Sequence, residues 1–277
     1  KKFSPDTNSS EVNHMVPLLD KVIQFSLFTF VAFSMFSISV TQISFAIGAI
    51  ASLLKTHLTK SWKELRGTYV GIAVLCFSLA CVLSIITAVD FGSSIKLLKK
   101  LLQFIILFWV ANAVQDEKQR DLLFKLVIVT GVASALNGII PLINPSLFSQ
   151  DSLYGGKRII GTMSVPSTFS GIIMIVALAA LGRLLFHKPK EYWVIGSLGV
   201  IVLSLLLSIT RQAWLGFFLG AIFLGFNWNK KLFLIIPILL AAVLLFSSED
   251  ITGRIYSLTD LKDKTLQARV FLWKGGW

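Results

Sequence analysis

Four cations are placed where simple membrane topology does not call for them: Lys157, Arg158, Arg211 and Arg269. Arg211 sits in Ser208-Ile209-Thr210-Arg211-Gln212-Ala213-Trp214-Leu215-Gly216, which separates two long apolar runs. It is the only ionisable residue between Tyr192 and Lys230. An arginine at the middle of a bilayer helix costs about 2.5–3.5 kcal/mol on insertion scales. Such a residue therefore marks a helix end, snorkels to water, or faces a polar cavity. Lys157 and Arg158 follow Gly155-Gly156, and Arg269 opens Arg269-Val270-Phe271-Leu272-Trp273. A guanidinium is a planar fork suited to two-pronged binding of phosphate. Three separated segments that each present an arginine on one membrane face read as a site for an anionic substrate. The competing reading of Arg211 is an interfacial anchor, with Trp214 as its aromatic-belt neighbour. Scattered surface charges are the competing reading of the others.

Other chemistry is sparse. The chain has no Asp-x-Asp, His-x-x-x-His or Cys-x-x-Cys pattern, so no metal site or cofactor is expected. No apolar run contains an acid, which weighs against a proton- or sodium-coupled transporter. His14, His57 and His187 read as loop residues rather than catalysts. Cys76 and Cys81 lie five apart in one run and point about 140° from each other on a helix. They cannot bridge and read as small buried hydrophobes.

The elements that must position these cations are helices in a membrane. The 277 residues are 55% hydrophobic and only 14% charged, with a mean hydropathy of +0.78. Soluble domains carry about 25% charged residues. The fold class is therefore all-α, a polytopic helical integral membrane protein. The net charge of +12 resides largely in short loops between apolar runs, a membrane pattern rather than a nucleic-acid one.

Apolar runs fall at about 22–38, 42–54, 69–88, 101–114, 122–143, 165–186, 192–208, 212–226 and 232–247. One helix over the first two would reach about 50 Å against a hydrocarbon core of about 30 Å. A hairpin near Ser39–Thr41 is expected instead, giving about nine spans. With the N-terminus inside, the inner segments hold fifteen Lys and Arg residues and the short outer loops six, as the positive-inside rule requires. The expected organisation is a cytoplasmic N-terminal segment over 1–21, a transmembrane domain over 22–247 and an outer segment over 248–277. Residues 1–14 read as a polar, mobile leader that is not a signal peptide, and Met15 as a candidate natural start. No 20–50-residue repeat and no inverted symmetry of the kind transporters carry is visible. Gly171, Gly216 and Gly220 mark places where helices either pack closely or leave an opening.

Arg158-Ile159-Ile160-Gly161-Thr162 running into Pro166-Ser167-Thr168, then the Thr210-Arg211-x-Ala213-Trp214-Leu215-Gly216 stretch, then Arg269 to Trp273, together resemble the O-antigen ligase and O-antigen polymerase superfamily. The resemblance runs from the first span to the start of the family's large periplasmic loop. It implies a glycosyltransferase of a bacterial inner membrane, acting on the periplasmic face in lipopolysaccharide biosynthesis. The donor would be a glycan on undecaprenyl pyrophosphate and the acceptor lipid A–core for a ligase, or another repeat unit for a polymerase. It further implies metal independence, with Arg211, Arg269, Arg158 and Lys157 on the pyrophosphate. The family's histidine base would lie beyond Trp277, so the chain reads as a piece of a longer protein. A transporter of an anionic or lipid-linked substrate is the alternative from another class.

Overall fold

The structure, a computed structural model, describes residues 6–61, 68–86, 91–114, 116–144, 153–154, 158–187, 191–228, 267 and 270–271. It is helical, apart from one two-residue ladder. Among the described residues four helical stretches are long and apolar enough to cross a membrane: Met15–Phe33, Ile38–Thr59, Glu117–Ile143 and Pro166–Phe186. Tyr69–Ile85 and Tyr192–Leu207 are apolar but shorter. The expected run over 232–247 lies outside the described residues. So does most of the tail over 248–277. Large side chains such as Phe25, Ile38, Tyr69 and Ile175 are exposed on these helices, which suits a helix surrounded by apolar solvent.

The chain divides into two compact units, Lys1–Leu126 and Val127–Trp277. The first holds α1 (Asp6–Phe33), α2 (Ile38–Thr59), α3 (Thr68–Ile85) and α4 (Phe91–Leu98). A 3₁₀ segment (Lys99–Gln103), α5 (Phe104–Ala113) and the start of α6 (Glu117–Ile143) complete it. α1 and α2 form an antiparallel hairpin: Asp20 meets Lys55 and Ser26 meets Gly48. Its turn occupies 34–37 rather than Ser39–Thr41. Ser37 caps α2 by accepting from the Val40 amide at 3.4 Å, the usual work of serine at a helix start. Trp109 of α5, only 4% exposed, packs where Gly48 leaves room, since a Cβ there would run into the indole ring. Phe30 and Phe45 meet that ring edge-on at 5.5 and 5.6 Å.

Three smaller expectations are corrected. Residues 6–14 form the first turns of α1 rather than a mobile leader. Cys76 is exposed and Cys81 half-buried on α3, not buried. His14 and His57 lie inside α1 and α2, and His187 just past α7, so only the last is a loop residue.

The second unit contains the rest of α6, strands β1 (Leu153–Tyr154) and β2 (Arg158–Ile159), α7 (Pro166–Phe186), α8 (Tyr192–Leu207) and α9 (Arg211–Trp228). Proline at the first position of α7 has no amide to leave unpaired. α7 and α9 pack through glycines: Met174 lies against Gly216 and Leu178 against Gly220. These two glycines therefore serve close packing. Gly171 has nothing within 4 Å of its Cβ direction and faces open space.

Candidate functional site: an arginine-braced turn

α8 ends because Ser208 and Ile209 leave the helix. The Ser208 hydroxyl donates back to the Leu205 carbonyl at 2.7 Å. Ile209 takes a left-handed conformation with φ of 50°, which costs a β-branched residue about 1–2 kcal/mol. The Thr210 hydroxyl donates to the Ser208 carbonyl at 3.2 Å. α9 then starts at Arg211, with the Ala213 and Trp214 amides returning to the Thr210 carbonyl. The Trp214 indole N–H donates to the Leu205 carbonyl at 2.9 Å, tying the first turn of α9 back onto the last turn of α8.

A guanidinium from fifty residues upstream completes this turn. Arg158 donates from Nε to the Ser208 carbonyl and from Nη2 to the Thr210 hydroxyl, both at 3.1 Å. Two neighbouring nitrogens of one planar group thus hold two consecutive features of the turn. Ser208 is fully buried and Thr210 nearly so, so these bonds form where water competes little.

Arg158 is itself held by its strand. β2 pairs antiparallel with β1, Tyr154 opposite Arg158 and Leu153 opposite Ile159. Ile159, next to the arginine, is fully buried. The chain then turns through Gly161 at φ +58°, and a Cβ there would run into the Phe169 ring and lie 2.9 Å from the Ser134 carbonyl. Gly138 of α6 approaches the Gly161 backbone, and the Ser134 and Thr162 hydroxyls bond at 2.7 Å. Small residues on α6 and in the turn therefore let the ribbon seat against the helix.

The expected cations are distributed as follows. Arg158 and Arg211 come to the same turn, one holding Ser208 and Thr210, the other following Thr210 in the chain and opening α9. Lys157 and Arg269 lie outside the described residues. A cation at a helix N-terminus lies at the positive end of the helix dipole. Arg158 on the turn and Arg211 at the first position of α9 put two arginines at one helix start, residue types suited to a polyanion. Among the described residues no group of three His, Cys, Asp or Glu side chains converges as a metal site would require. Sequence reasoning selected Arg158 and Arg211 separately and missed Ser208 and Thr210 as the groups that join them. Hydroxyls next to an arginine were the signal available.

A buried cation lies at the α7–α8 connection. Arg183 pairs with Glu191 at 2.9 Å, and the Trp193 indole donates to the same carboxylate at 3.2 Å. This pair ties the end of α7 to the start of α8. Comparison with protein-family models, curated proteins and solved structures found no match.

Proposed function

We propose that the chain is the membrane part of a metal-independent glycosyltransferase of the O-antigen ligase type. It would move a glycan from undecaprenyl pyrophosphate to lipid A–core on the periplasmic face of a bacterial inner membrane. About nine spans with a cytoplasmic N-terminus are part of this reading. The observation that supports it is Arg158 bound to the turn that leads into Arg211. In this reading Arg158 fixes the turn and Arg211 meets the donor pyrophosphate, with Lys157 and Arg269 adding charge. Cleaving a sugar–pyrophosphate bond builds negative charge on the leaving oxygen. Preorganised cations stabilise that charge without a metal. The histidine base would come from chain beyond Trp277.

The test uses the complete protein, reconstituted with lipid-linked glycan and lipid A–core in the presence of EDTA. Transfer by the unaltered protein persists in chelator. Arg211→Lys keeps the charge but loses the planar fork, and Arg211→Ala loses both. Loss of one charge-assisted contact in a dry site costs on the order of 3 kcal/mol, roughly a hundredfold in rate. Near-normal transfer by Arg211→Lys would instead support an interfacial anchor, because lysine snorkels equally well.

A further inference from the structure

The first unit contains a cavity of about 750 Å³ between α1, α2, α5 and the start of α6, within the size range of small-molecule sites. Along α2 and along α5 its wall changes from mostly apolar to charged. On α2 the lining passes from Ala49, Ser52 and Leu53 to Lys55, Thr56 and Thr59. On α5 and the link after it, the lining passes from Ile105 through Phe108 to Asn112 and Asp116. α1 runs antiparallel to α2 and brings Asp20 to Lys55 at the polar end. Ala49 to Thr59 is about 15 Å of helix. A polarity gradient over that length is complementary to an amphiphile, not to a wholly polar solute.

The charges define the head of that amphiphile. Among the described residues the charged groups of the lining are one ammonium, Lys55, and two carboxylates, Asp20 and Asp116. Lys55 Nζ bonds Asp20 Oδ1 at 2.6 Å. An ammonium has three donors and a carboxylate about four acceptor positions, so this contact leaves capacity on both. Among these described groups a lone anionic head would meet more carboxylate than ammonium. A head with both signs finds Lys55 for its phosphate and the two carboxylates for its amine. Carboxylates accept N–H bonds, which a primary ammonium offers and a trimethylammonium does not.

We infer that this cavity binds a zwitterionic phospholipid bearing a primary ammonium group. The head lies at Asp20, Lys55 and Asp116, and the acyl chains run toward Ala49, Leu53 and Ile105. The site is separate from the Arg158 turn and stands whether or not that turn serves sugar transfer.

The detergent-purified full chain is titrated with dioctanoyl phosphatidylethanolamine, phosphatidylcholine, phosphatidylglycerol and dioctanoylglycerol, and bound lipid is counted by native mass spectrometry. The ethanolamine lipid is retained at least about fivefold over each of the others, the ratio one net hydrogen bond supplies. Asp20→Asn and Lys55→Gln each reduce that preference. Ala49→Phe fills the apolar end without touching a charge and lowers retention of the ethanolamine lipid. Cooperative thermal melting identifies variants that remain folded, and Asp20→Asn, at a half-exposed side chain, is the mildest of them. Equal retention of all four lipids, or preference for the glycerol lipid or diacylglycerol, overturns the inference. So does unchanged retention in folded Asp20→Asn and Ala49→Phe.

Discussion

Removing the Arg158 side chain should loosen one turn and leave the helices around it in place. Its two bonds, to the Ser208 carbonyl and the Thr210 hydroxyl, are each 3.1 Å long. A hydrogen bond to a charged group contributes about 1.5–3 kcal/mol. The Ser208 carbonyl keeps its bond from Thr210 at 3.2 Å and is not orphaned, which places the loss near the lower end. Arg158→Ala should therefore destabilise the turn by about 3 kcal/mol, raising its local opening about a hundredfold. Hydrogen exchange read by mass spectrometry on peptides over 206–214 measures this, because the Ile209, Ala213 and Trp214 amides are bonded within that segment and the Ser208 amide to Ser204 just before it. Exchange there should accelerate, while peptides over 173–180 in the buried face of α7 keep their rates. Arg158→Lys should recover only part of the protection, because one ammonium cannot reproduce two parallel donors. Unchanged exchange at 206–214 in Arg158→Ala would refute the brace, and complete recovery by lysine would reduce it to a charge effect.

Gly161→Ala combines a left-handed conformation with a Cβ driven into Phe169. The cost should be about 2–5 kcal/mol, seen as a large fall in melting temperature; an unchanged melt would contradict the described turn. For the nine-span topology, reporter fusions after Lys118 and Lys188 should read cytoplasmic and fusions after Asp151 periplasmic. A reversed signal at any one breaks that topology.

The sequence carried the helices clearly and the contacts between them poorly. Apolar runs marked most of the helices because a helix in apolar surroundings needs little beyond length and hydrophobicity. Their ends were harder to read. Ser39 and Thr41 looked like a break, yet the Thr41 hydroxyl bonds the Ser37 carbonyl one turn back at 2.7 Å, so a hydroxyl can stay inside an apolar helix. α6 begins at Glu117, before the apolar run at 122, because Glu117–Arg120 and Asp121–Lys125 pairs support a polar first turn. Arg211 was legible through its isolation. That Arg158 would hold the same turn was not, since fifty residues separate the partners and no local pattern encodes such a contact. The Asp20–Lys55 pair is similar: it joins facing helices thirty-five positions apart.

Ile209 has a consequence for the order in which the chain folds. Its left-handed backbone is a state that isoleucine avoids on its own, so the link between α8 and α9 is not set by its local sequence alone. It needs Arg158, and Arg158 is made first. By the time Ser208 to Thr210 leave the ribosome, the strand that carries the guanidinium has already been synthesised. The last step of forming this corner is then a capture: a late, strained segment arriving at an early, waiting cation. Contacts of this separation are slow to find and lose the most chain entropy when they close. The α8–α9 corner should thus be among the last parts of the second unit to acquire native hydrogen-exchange protection during refolding.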